Sequence, residues 1–148
     1  MTHDEFRAWL DAYGHAWETR DANAAAALFS DDAAYHETPF VEPMRGRAEI
    51  LAYWSHIGRS QEQVRFRYEI LAITNDKGIA HWWASFTRHP ERTRVNLDGI
   101  FLLTFDADRR CTTLREWWQR KQVGPGPTVE LSPNVCRSTP LIPEPPEE

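Results

Sequence analysis

Apolar and polar positions recur along this chain with two different periods, and the change from one to the other divides it. Near the amino terminus Phe6, Trp9, Leu10, Tyr13 and Trp17 fall at helical spacing and predict one buried helix face. Thr2 and Glu5 stand three residues apart at its start, as a capping box requires. Asp21 is placed to cap a second helix over Ala22 to Phe29, an alanine run that permits close packing, with Ser30-Asp31-Asp32 as its stop. Residues Ala33 to Thr38 predict a short strand, with Tyr35 and Glu37 on one face and His36 on the other. Pro39 and Pro43 frame a loop. A third helix follows from about Arg47 to Ile57, with Ile50, Tyr53, Trp54 and Ile57 on its apolar face and Gly58 as its stop.

From there the period is two. Val64, Phe66, Tyr68 and Ile70 alternate with Arg65, Arg67 and Glu69, the pattern of a half-buried strand. Asn75-Asp76-Lys77-Gly78 predicts a turn. The strand Ile79 to Arg88 then sets Ala80, Trp82, Ala84 and Phe86 against His81, Trp83, Ser85 and Thr87. The stretch from Val95 to Gln119 organises the rest: two long strands joined by the polar turn Asp106 to Arg110. Its first arm carries large apolar groups on both faces, so it is expected to be covered on both. In its second arm Thr112, Leu114, Glu116 and Trp118 share a face. A glutamate between Leu114 and Trp118 on a buried face has to be paired, protonated or functional.

Helices first and antiparallel strands afterwards imply an α+β domain: three N-terminal helices packed on a strongly curved, mixed but mostly antiparallel sheet that forms a cone-shaped barrel. The mouth of such a cone is a natural small-molecule site. Trp83, Ile100, Leu102 and Trp117 lie on the outer sheet face, with no helix left to cover them. A homodimer through that face is therefore expected.

Composition narrows the classes. The 148 residues make one ordinary domain, with 41% hydrophobic and 26% charged residues. The net charge of -5 and scattered basic residues give no footprint for nucleic acid. No apolar run approaches the roughly 20 residues of a membrane span, and no secretory signal is present, so no membrane partner and a cytoplasmic location are expected. Cys111 and Cys136 form neither a disulfide framework nor a zinc motif. No histidine pair shares a face with an acid at ligand spacing and no glycine-rich phosphate loop occurs, so neither a metal nor a cofactor is expected. Seven tryptophans point to a core or cavity walled with aromatics. Residues 1–121 form the domain, and 122–148 a proline-rich tail that does not build regular structure.

Four stretches, A-W-E-T-R-D-A-N-A-A-A-A-L-F-S-D-D-A, M-R-G-R-A-E-I-L-A-Y-W, L-D-G-I-F-L-L-T-F-D and L-R-E-W-W, resemble the SnoaL-like branch of the nuclear transport factor 2-like superfamily. The resemblance covers residues 5 to 121. It is specific for the fold, which serves isomerases, dehydratases, cyclases, epoxide hydrolases and non-enzymatic binding domains. Set beside the ketosteroid isomerases, it implies that the proton-shuttling carboxylate falls on Glu37 and the oxyanion-hole tyrosine on Tyr13. The second oxyanion donor of that family, a protonated aspartate, falls on Phe101, whose ring cannot donate, so strong dienolate stabilisation is not expected. Set beside the limonene epoxide hydrolases, L-R-E-W-W puts Glu116 at the position of a catalytic acid. Trp82 and Ala84 stand where that family has its arginine and second aspartate.

Each candidate has a plainer alternative. Glu37 is a general base roofed by aromatics, or a strand-end partner for Arg45 or Arg47. Glu116 is a second acid facing it across the cone, or a structural ion pair. Tyr13 orients a polar group, or is core. Trp54, Trp82, Phe86, Phe101 and Trp118 line a cavity, or fill it. His36 and His81 lie on the opposite parity and read as surface or interface residues, and Asp98 as a strand or interface tie. Three functions stay open: a cofactor-free isomerase, dehydratase or hydrolase for an apolar polyketide-, terpenoid- or steroid-like substrate; a non-catalytic domain binding an apolar small molecule; and a scaffold acting through the sheet face and tail.

Overall fold

A computed structural model describes residues 1–123; the rest of the expected tail, with Cys136, lies outside the described residues. Helix α1 (His3–Glu18) starts where its capping pattern predicts. The Thr2 hydroxyl accepts from the Glu5 amide at 3.1 Å, and the Glu5 carboxylate accepts from the Thr2 amide at 2.7 Å. Its inner face buries Phe6, Trp9, Leu10, Tyr13 and Trp17.

Helix α2 (Ala22–Ala26) is capped by Asp21, whose carboxylate accepts from the Ala24 amide at 3.0 Å. It ends three residues short of the expected Phe29, and Ser30-Asp31-Asp32 belongs to strand β1 (Phe29–His36) instead of stopping a helix. The sheet wins this segment. The Leu28 carbonyl accepts both the Cys111 amide at 2.9 Å and the Trp9 indole N–H at 3.0 Å, while the Phe29 ring is fully buried. A register irregularity between Phe29 and Ala34 lets Asp31 and Asp32 bow outward, and Asp31 pairs with Arg47 at 2.8 Å.

After β2 (Met44–Arg45), helix α3 (Gly46–Ser60) runs through Gly58, the expected stop. Its end is set by the next strand. The Gln61 amide donates to the Ile57 carbonyl, and the Ser60 carbonyl accepts from His89 at 2.8 Å. Strands β3 (Gln61–Thr74), β4 (Lys77–Arg88), β5 (Thr93–Phe105) and β6 (Cys111–Val123) complete the domain. The first turn is shorter than expected: Gly78 lies within β4, where an added Cβ would come within 2.5 Å of the Phe6 ring. That glycine serves close approach of α1 to the sheet, not a turn.

The sheet order is β2-β1-β6-β5-β4-β3. Only β1 and β6 are parallel; every other pair is antiparallel. The helices cover one face, and the core there is a continuous aromatic cluster in which Trp82, Tyr13, Tyr35, Phe6, Phe29 and Phe101 are all but inaccessible. On the other face Ile100 and Leu102 are half-buried and Trp117 keeps 46% of its surface exposed. No described helix is long and apolar enough to cross a membrane.

Candidate functional site

The parallel seam positions the chemistry. Tyr35 lies opposite Leu114 and His36 opposite Arg115, so the chain leaving β1 delivers Glu37 beside the Glu116 segment of β6. Glu37 sits in the bend just after β1, and the Trp118 indole N–H donates to its carbonyl at 3.0 Å. Both glutamates border one cavity of about 70 Å³ on the helix-covered side of the sheet. Tyr13 and Trp17 of α1, Tyr53 and Trp54 of α3, and Trp82 and Phe86 of β4 wall it. Tyr35, Ile57, Gln61, Arg88, Leu97, Trp118 and Arg120 complete the wall.

Of the residues expected from the sequence, Glu37, Glu116, Tyr13, Trp54, Trp82, Phe86 and Trp118 all reach this cavity. Phe101 does not. Its ring is stacked on Trp82 at 5.1 Å and is fully buried behind it. Phe101 lies on the inner face of its strand, but Gly99 opposite Trp82 leaves a gap into which the indole lies. The larger ring screens Phe101 from the hollow.

Glu116 is 6% exposed. Burial first, and then the negative charge of Glu37, hold its carboxyl well above the ordinary 4.5; no hydrogen bond or cation acts in the other direction. Its environment therefore favours the protonated form more than water does. The Tyr13 and Tyr35 hydroxyls share a hydrogen bond of 2.9 Å, and burial, followed by Glu116, pushes both phenols up. Tyr53 is pushed up in the same way by burial, then Glu116, then Glu37. Two buried indole N–H groups of the wall, those of Trp54 and Trp82, have no hydrogen-bond partner among the described residues. A buried donor without an acceptor is uncommon and marks a place for a water or a ligand oxygen.

Sequence reasoning did not single out Tyr35, Tyr53, Arg88 and Arg120 as site residues. The signal was present, since Tyr35 shares the face of Glu37 and the two arginines extend the inner parity of β4 and β6 by one step each. His36 and His81 lie away from the cavity. His81 sits on the outer face, its Nε2 2.6 Å from Asp98 and its Nδ1 3.3 Å from Glu69, with its ring against Trp83. Burial lowers its pKa, but the hydrogen bonds and charges of Asp98 and Glu69 outweigh that and raise it. A larger groove of about 540 Å³ also opens on the outer face, lined by Arg65, Arg67, Trp83 and Lys121. Asp98 and Arg120 also border it, so Arg120 lies between the groove and the inner cavity, and neither Glu37 nor Glu116 reaches it. No group of three metal-ligating side chains occurs among the described residues.

The chain resembles a steroid Δ-isomerase of Nocardioides simplex, 26% identical over 114 residues, which are 77% of this chain and 89% of that protein. Among solved structures it superposes on SalBIII, an epoxide hydrolase/cyclase-like enzyme of pyran ring formation in the polyether salinomycin, with a TM-score of 0.70 at 18% identity. That match covers 80% of this chain and 95% of SalBIII. A Δ5-3-ketosteroid isomerase from Mycobacterium sp. gives 0.69 at 18% identity, covering 80% and 98%. At this identity the structural matches speak for the fold alone. The SnoaL-like domain model matches residues 5–113, and the chain belongs to that family.

Proposed function

We propose that the cavity binds an apolar, oxygen-bearing small molecule and that Glu37 and Glu116 carry out cofactor-free proton transfer on it: isomerisation, dehydration or ring opening. The reading rests on one observation, the buried Glu116 carboxyl, its proton affinity raised by burial and by Glu37, in one aromatic hollow with Glu37. Two acids whose environments separate their proton affinities divide into donor and acceptor. Glu37, at the half-buried end, takes the proton from carbon; Glu116 donates to, or hydrogen-bonds, the substrate oxygen. The unpartnered N–H groups of Trp54 and Trp82 supply the electrostatic stabilisation that Phe101 cannot, and Tyr13, already bonded to Tyr35, orients the same oxygen. At about 70 Å³ the hollow is far smaller than the roughly 300–1,000 Å³ of pockets that enclose drug-sized ligands. It therefore takes the reacting edge of a substrate, and the remainder lies in the mouth.

The filled core behind Trp82 and the donor-less Phe101 favour a second reading, a binding domain without turnover. Deuterium exchange separates the two. A ketone ligand is titrated by tryptophan fluorescence, and incorporation of solvent deuterium at its α-carbon is followed by NMR. Exchange that Glu37→Gln abolishes while binding persists supports catalysis; binding without exchange by the unmodified protein supports the carrier.

The outer face is read as the seat of a homodimer, supported by the half-exposed Trp117 beside Ile100 and Leu102. Trp117→Lys should shift sedimentation from dimer to monomer, and a monomeric unmodified protein would refute this.

A further inference from the structure

The two strands that carry the cavity's chemistry both end in a guanidinium. Along the inner face β4 presents Trp82, Ala84, Phe86 and then Arg88; β6 presents Leu114, Glu116, Trp118 and then Arg120. Both arginines border the cavity, Arg120 exposed and Arg88 half-buried, so they stand at its solvent end. Strand β5 lies between them, with Thr93 opposite Arg88 and Leu97 opposite Arg120.

Of the other cations nearby, Arg65, Arg67 and Lys121 face the outer groove, which Arg120 also borders, while Arg94 and Arg47 are engaged. Arg94 donates to the Gln63 carbonyl, Thr87 and Ser85, and Arg47 pairs with Asp31. Glu62, the acid next to the mouth residue Gln61, is held by His89 at 2.9 Å. Arg88 and Arg120 have neither an ion-pair nor a hydrogen-bond partner among the described residues; Arg88 only lies 6.0 Å over the Phe86 ring. Nor is their charge spent on the interior, because no cation is among the causes that move the Glu116 carboxyl. Two unneutralised guanidiniums at the rim of a cavity with acids inside form a polarised site, cationic outside and proton-donating within.

We propose that Arg88 and Arg120 bind the anionic end of the ligand, so that the molecule received is an apolar compound with an oxygen at one end and a carboxylate or similar anion at the other. This rests on the cavity being the ligand site, as set out above. A neutral polycycle would leave both guanidiniums without a partner. An anionic end also gives a ligand larger than the hollow a fixed anchor outside it.

The test uses the full chain and two probes, 4-oxo-4-phenylbutanoate and its methyl ester, titrated by tryptophan fluorescence. The acid is expected to bind roughly tenfold more tightly than the ester, the scale of one charge-assisted hydrogen bond, with a preference that shrinks as salt rises. Arg88→Gln and Arg120→Gln should each weaken the acid and leave the ester unchanged, and the double variant should bind both alike. An ester that binds as tightly as the acid overturns the arginine pair alone, as does a parallel loss of both probes in the variants. Failure of both probes to bind overturns the arginine pair together with the cavity reading beneath it.

Discussion

The indole N–H of Trp118 donates to the backbone carbonyl of Glu37 at 3.0 Å, tying the last strand to the bend that follows the first. The bond fixes where the Glu37 side chain begins, with the Glu116 segment one inner position away on the strand that supplies the donor. Trp118→Phe keeps the ring and removes the donor. It should cost about 0.5–1.5 kcal/mol of stability in denaturant titration. It should also lower any proton-transfer rate more than ligand affinity, because a base needs its position more than the cavity needs its wall.

Glu116 sets a pH dependence of known sign. Its folded pKa lies above 4.5, so the native state holds the proton more tightly than the unfolded chain does. Its contribution is complete below the unfolded value and is lost as pH rises towards the raised native one, at up to about 1.4 kcal/mol per pH unit. Glu116→Gln should remove that slope. Urea midpoints of Glu116→Gln and the unmodified protein are expected to lie closest together near pH 4 and to diverge in favour of the variant as pH rises. Parallel midpoints across the range would mean that the carboxyl is not held protonated.

Tyr13 and Tyr35 satisfy each other, which makes a double-mutant cycle informative. Tyr13→Phe leaves the Tyr35 hydroxyl buried and unpaired, at about 1–3 kcal/mol. The reverse single change should cost a similar amount. The double Phe variant should be less destabilised than the sum of the singles, and strict additivity would show that the hydroxyls do not depend on one another.

Gly99→Ala tests the placement of Trp82. An added Cβ would fall 2.6 Å from the indole and 2.8 Å from the Trp117 carbonyl. The carbonyl belongs to the sheet and cannot move, so the indole must. The expected cost is about 1–3 kcal/mol from overpacking, with loss of ligand-induced fluorescence change as Trp82 is driven into the hollow.

Much of this architecture was legible because amphipathic periods are strong signals. The helix faces, the strand parities and the burial of Glu116 all follow from spacing alone. Other features depend on partners distant in sequence. The alanine run looks helical through Phe29, yet Leu28 and Phe29 are claimed by Cys111 and Trp9, a choice that no local propensity records. Gly78 and Gly58 carry the composition of a turn and a stop, but one makes room for Phe6 and the other lies inside a helix. The loss of Phe101 from the cavity wall has the same origin, since parity tells which face a ring occupies and not which ring lies on top. Cavity size is the least legible quantity, because it is the small space left over after many rings have packed.

The one parallel pairing in the sheet has a consequence for biosynthesis. Hairpins assemble from neighbours in the chain, but the seam between β1 and β6 joins the first and last strands among the described residues, and only that closure brings the two carboxylates together. A nascent polypeptide still lacking β6 has no partner for β1 in this seam and so lacks the acid pair on which the proposed proton transfer depends. The pair is complete only once β6, the last strand among the described residues, lies between β1 and β5.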